Sequence, residues 1–147
     1  MTHKEFMQEA IKEAQKGIHA GHGGPFGAVI VKDGKIVGKG HNCVLKNGDP
    51  TCHGEIMAIH DACKNLGTHD LSGCVIYTSA APCPMCRGAI QWANITECYH
   101  ACNYQDTDSI GFRDDIFDKN PLISQECDRE DGLKLFDDYI KLDLRRY

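Results

Sequence analysis

The stretch Cys74-Val75-Ile76-Tyr77-Thr78-Ser79, then Pro82-Cys83-Pro84-Met85-Cys86 running on to Trp92, then Ile95 to Ala101, decides the architecture. Its first six residues are a short run rich in apolar and β-branched side chains, which suits a buried strand. Prolines open a short helix from Pro84 to Trp92, because proline at the first helical position has no needed N–H to lose. Ile95 to Ala101 reads as another strand. A helix that crosses between two strands covers one face of their sheet, so this segment predicts an α/β domain.

The rest of the chain extends that pattern upstream. Thr51 is a candidate N-cap for a helix carrying Ile56, Ile59, Ala62, Cys63 and Leu66, which Gly67 ends. Before it lie two runs, Phe26 to Val31 and Ile36 to Asn42, joined through Asp33-Gly34, a hairpin signal. Thr2-His3-Lys4-Glu5 reads as a capping box for a first helix whose stripe is Phe6, Ala10, Ile11, Ala14 and Ile18. The order αββαβαβ predicts one domain over residues 1–147, a three-layer α/β/α sandwich with one mixed sheet. Beyond Cys102 an acidic irregular stretch precedes a predicted helix from Gly132 to Leu144.

Composition excludes several classes of function. The chain has 147 residues, 41% hydrophobic and 25% charged, enough to build a core without disulfide staples. Nine cysteines is an odd number, and Met1 to Ala20 carries no charged-then-apolar signal pattern. A reducing, cytoplasmic compartment is expected. No run approaches the roughly 18 apolar residues of a membrane span. The net charge is -5, and residues 114–147 hold ten acids against six Lys and Arg, a poor surface for a phosphate backbone.

Chemistry concentrates in two segments, His53-Gly54-Glu55 and Pro82-Cys83-Pro84-Met85-Cys86. Cys-x-x-Cys at a helix N-terminus aims both sulfurs at one spot, and the helix dipole favours thiolates, the form that a metal binds. One His and two Cys make three ligands. A structural zinc takes four protein ligands, whereas a catalytic zinc keeps its fourth position for water. Glu55, in the same first turn as His53, is placed to shuttle a proton without ligating. His-x-Glu with Pro-Cys-x-x-Cys is the established signature of zinc deaminases. A thioredoxin-like redox pair would use Cys83 and Cys86 but leave His53 and Glu55 idle. A closed structural site could instead recruit Cys52 or Cys43. The remaining cysteines at 43, 63, 74, 98, 102 and 127 read as small buried hydrophobes.

Pro25-Phe26-Gly27-Ala28-Val29-Ile30, Asn42, Asp49-Pro50-Thr51, His53-Gly54-Glu55 and Pro82-Cys83-Pro84-Met85-Cys86-x-Gly88-Ala89-Ile90 resemble the cytidine deaminase-like superfamily, over about residues 3–117. Gly23-Gly24-Pro25-Phe26, Trp92, Gly111-Phe112 leading into Asp114, and the terminal Tyr147 look most like bacterial guanine deaminases. The resemblance implies a central sheet of the five-stranded type and Zn2+ on His53, Cys83 and Cys86. It implies Glu55 and Asp114 as catalytic residues, and Phe26, Asn42, Gly54, Trp92 and Tyr147 as substrate contacts. It also implies hydrolytic deamination of a free nucleobase, guanine to xanthine and ammonia, by a homodimer whose segment from about 120 to 147 swaps to close the partner's site.

Alternatives differ in particular residues. Gly54 stands where guanine and tRNA-adenosine deaminases usually carry alanine and some cytosine deaminases carry glycine, which keeps cytosine or another small aminated heterocycle open. Ala81 stands where the superfamily commonly has glutamate. A tRNA adenosine deaminase would want a basic C-terminal helix, but here the segment reads Asp137-Asp138-Tyr139-Ile140-Lys141-Leu142-Asp143. A purely structural zinc module has no use for Glu55.

Overall fold

Asp33 and Gly34 both take positive φ, 50° and 77°, the conformation of the two-residue turns whose twist matches their flanking strands. They join β1 (Gly27–Lys32) to β2 (Lys35–His41) as an antiparallel hairpin. The computed structural model describes residues 1–112 and 116–147. On its other side β1 pairs antiparallel with β3 (Cys74–Ala80), which pairs parallel with β4 (Glu97–Cys102). The sheet order is β2-β1-β3-β4, a mixed sheet as expected. The five-stranded sheet implied by family resemblance is four-stranded among the described residues. After β4 the Asn103–Asp106 capping box turns the chain into α5 (Tyr104–Ser109) in place of another strand.

β1 lies inside the sheet and its side chains alternate between two cores. Val29 and Val31 pack with Phe6, Ala10 and Tyr77 beneath α1 (His3–His19). Ala28 and Ile30 pack with Ala58, Ala62 and Ile90 on the other face, under α3 (Gly54–Leu66) and α4 (Pro84–Trp92). The predicted capping box starts α1, with Thr2 Oγ1 accepting from the Glu5 N–H and the Glu5 carboxylate accepting from the Thr2 N–H.

Glycines let α3 sit close to β2. A Cβ on Gly38 would come within 2.7 Å of Ala62 Cβ, and one on Gly40 within 2.3 Å of the Ala58 nitrogen. Small residues two apart on the strand therefore meet small residues four apart on the helix, which brings the first turn of α3 down onto the sheet. That helix starts later than its sequence suggests. Thr51 donates to Asp49 Oδ1 through its N–H (2.8 Å) and hydroxyl (2.7 Å), so an Asp-centred turn takes the residue expected to cap, and His53 becomes the N-cap.

Residues Met1–Asp114 and Asp115–Tyr147 form two compact units. The second holds α6 (Ile116–Lys119) and α7 (Arg129–Leu142), the latter starting three residues before the predicted helix. A one-turn α2 (Val44–Asn47) follows β2. All nine cysteines are free thiols. Cys98, Cys102 and Cys127 are exposed, contrary to their expected burial, because β4 is an edge strand and Cys127 precedes an exposed helix. No helix among the described residues is long and apolar enough to cross a membrane.

Candidate functional site

His53 and Cys83 occupy the N-cap positions of α3 and α4, yet neither side chain caps its helix. N-caps favour short oxygen-bearing side chains, so both helices begin with a residue committed to something else. They are committed to each other. His53 Nδ1 lies 3.6 Å from Cys83 Sγ and 3.5 Å from Cys86 Sγ, with Cys86 one turn into α4. The loop carrying Cys83 is held on both sides: the Ala81 N–H donates to the Cys102 carbonyl (2.8 Å), and the Tyr104 hydroxyl donates to the Pro82 carbonyl (2.6 Å).

Two helix N-termini thus face one spot, and their partial positive charge favours anions there. Cys83 is pulled down to about 4, chiefly by the hydrogen bond from Cys86 and then by His53, against burial. Cys86 shifts the other way, because its thiol serves the Cys83 thiolate, is buried, and lies beside Glu55. Ligation of a divalent cation by both sulfurs would release whatever thiol protons remain on them. Glu55 is buried, and that burial pushes its carboxyl up while Cys86 hydrogen-bonds its side chain.

Residues 1–102 match the family of the cytidine and deoxycytidylate deaminase zinc-binding region. The chain belongs to this family. It is 48% identical to the guanine deaminase of Bacillus subtilis (strain 168) over 119 residues, 81% of this chain and 76% of that protein. The X-ray structure of guanine deaminase from Bacillus subtilis superimposes with a TM-score of 0.91 at 38% identity, covering 100% of this chain and 99% of that one. A tRNA-specific adenosine deaminase of Aquifex aeolicus (strain VF5) is 41% identical over 95 residues, 65% of this chain and 62% of that protein.

The donor set of this deaminase fits zinc. Zn–S bonds of about 2.3 Å and Zn–N bonds of about 2.0–2.1 Å at tetrahedral angles place nitrogen and sulfur about 3.5–3.6 Å apart, the spacing that His53 keeps to both sulfurs. Three protein ligands leave a fourth position, and the nearby buried Glu55 is what a catalytic site needs and a structural one does not.

The other expected site residues divide into two groups. Phe26, Asn42 and Gly54 come together: the Asn42 N–H donates to the Phe26 carbonyl (2.9 Å), and a Cβ on Gly54 would meet that carbonyl oxygen at 2.9 Å. Asn42 is buried and its side-chain oxygen accepts from the Val44 N–H (3.1 Å). The Phe26 ring is half-buried with Phe112 edge-on to it, centroids 5.0 Å apart. Trp92 stands at the far end of α4, six residues and so about 9 Å along the axis from Cys86, and is 72% exposed. Asp114 lies outside the described residues, and Tyr147 belongs to the second unit. Tyr104, which holds Pro82, escaped the sequence reading, since nothing local distinguishes it from a surface tyrosine.

Proposed function

We propose that this chain catalyses hydrolytic deamination of a free nucleobase, guanine to xanthine and ammonia, with one Zn2+ on His53, Cys83 and Cys86. The observation that carries the reading is likeness to guanine deaminase along the whole chain, at TM-score 0.91, combined with the His53, Cys83 and Cys86 cluster beside Glu55. When bound there, zinc supplies a nucleophile near neutral pH by acidifying a water in its fourth position. Glu55 takes the proton of the attacking water and delivers it to a ring nitrogen beside the amino-bearing carbon. Its raised affinity for protons, caused by burial, suits that carrier role. Asp114 is assigned the second proton transfer, to the departing amine.

Phe26 offers a flat apolar wall to the base, and the Asn42 amide and the Gly54 N–H are assigned its polar edge. Trp92 and Tyr147 are assigned to closing the site. Exposed Leu133, Phe136 and Ile140 form one stripe on α7, which supports a homodimer with residues from about 120 to 147 exchanged. A cytoplasmic location accords with the free thiols.

Ammonia release from guanine, adenine, cytosine, isocytosine and aminated triazines, measured beside an Asp114→Ala variant, tests the assignment. Guanine turnover that collapses in the variant is expected. Turnover confined to another base overturns the substrate, and silence on every free base points to tRNA.

A further inference from the structure

Besides the His53 centre, a second cluster with metal-ligand geometry lies among the described residues: His22, His41 and Cys43, whose donor atoms all fall within 4.8 Å of one another. It shares no residue with the first. His22 comes from the loop between α1 and β1, His41 ends β2, and Cys43 follows it one residue before α2. From these residues we infer a second metal site, taking a thiophilic divalent ion of the zinc class.

The hydrogen bonds set the tautomers. Glu13 Oε2 lies 3.1 Å from His41 Nδ1, and a carboxylate accepts, so Nδ1 carries the His41 proton and Nε2 keeps its lone pair. His22 Nδ1 then donates to His41 Nε2 across 2.8 Å, with the two rings stacked. A carboxylate behind one imidazole nitrogen, with the other nitrogen directed at neighbouring donors, is the usual second-shell arrangement of a metal-ligating histidine. Metal uptake moves the His22 proton from Nδ1 to Nε2 and releases the Cys43 thiol proton, leaving two neutral imidazoles and one thiolate. Two nitrogens about a tetrahedral zinc stand about 3.3–3.4 Å apart, so the rings part by about half an ångström. His22 and His41 are only half-buried, His22 on a loop, which leaves room for that adjustment.

The seat is shaped for these rings. Gly17 lies inside α1, where glycine is a poor helix former, and a Cβ there would strike the His41 ring at 2.6 Å. His41 and Cys43 also line a cavity of about 440 Å³, together with Glu13, Met57, His60 and the lysines at 16, 39 and 64 among others. Nitrogen–nitrogen–sulfur donation selects zinc or copper over magnesium or calcium. Coordination would tie the loop from Gly21 to Phe26 to the end of β2 on both sides of Asn42.

Zinc per chain is the test. The full-length protein is saturated with Zn2+, desalted and analysed by mass spectrometry of the metal, beside His22→Ala, Cys43→Ala and Cys83→Ala. Two zinc ions per wild-type chain are expected, falling to one in each variant. A wild type that takes up one ion, or a second ion that survives in both His22→Ala and Cys43→Ala, overturns the site. Titration of the wild type with Co2+ gives a readout that needs no variant. The second equivalent is expected to add its own thiolate-to-cobalt absorption, and a second equivalent with none contradicts ligation by Cys43.

Discussion

Among the side chains proposed to carry the chemistry, the metal ligands and Glu55 are expected to separate cleanly under substitution. Glu55→Ala removes the proton carrier but no ligand, so it is expected to keep one zinc in the His53 centre and to lower kcat by at least about 10²-fold, the usual scale of general acid–base catalysis. Cys83→Ala removes a ligand and is expected to lose that metal as well as turnover. Metal analysis beside an ammonia assay distinguishes the two. These residues were legible in the sequence because local geometry relates them: Cys83 and Cys86 are one helical turn apart, and His53 and Glu55 share a first turn. His22, His41 and Cys43 were not legible as a group, since the loop before β1 and the end of β2 meet only once the hairpin has formed.

At the scale of elements, the first turn of α3 reaches the ligand cluster because β2 is bare at Gly38 and Gly40. Gly40→Ala would drive a methyl into the α3 backbone, and overpacking of this kind costs about 1–3 kcal/mol. A lower midpoint in chemical denaturation checks it, with zinc retention read in the same sample. Asp70 joins the loops before β3 and β4, accepting from the Ser72 N–H (3.0 Å) and Asn94 Nδ2 (3.1 Å), and those bonds hold its carboxyl at about 2. A carboxyl lowered on folding stabilises the protein above its unfolded value, and that stabilisation is lost as pH falls through the folded one. The Tm gap between wild type and Asp70→Ala is therefore expected to be full above about pH 4 and to close by about pH 2. The strands, three helices and the capping box followed from periodicity and turn residues. The late start of α3 did not, because the Asp49 carboxylate takes the Thr51 hydroxyl that a cap would have used, and short helices such as α5 have too few residues to show a period.

For the whole molecule, the three-layer arrangement was legible from the order of elements, while the strand count among the described residues is four because a polar capping box follows β4 at Asn103. The second unit was legible only as a helix, since an exposed apolar stripe does not say what covers it. Removing residues 143–147 is expected to raise KM for the base several-fold with zinc content unchanged, and unchanged kinetics would take Tyr147 out of the site. The His53, Cys83 and Cys86 centre, served by Glu55, is proposed to turn guanine into xanthine. Chromatographic quantification of xanthine against ammonia, with zinc-loaded wild type and Glu55→Ala side by side, tests it most directly. One xanthine per ammonia is expected from the wild type and almost none from the zinc-retaining variant. Undiminished xanthine from Glu55→Ala, or none from the zinc-loaded wild type, would contradict it.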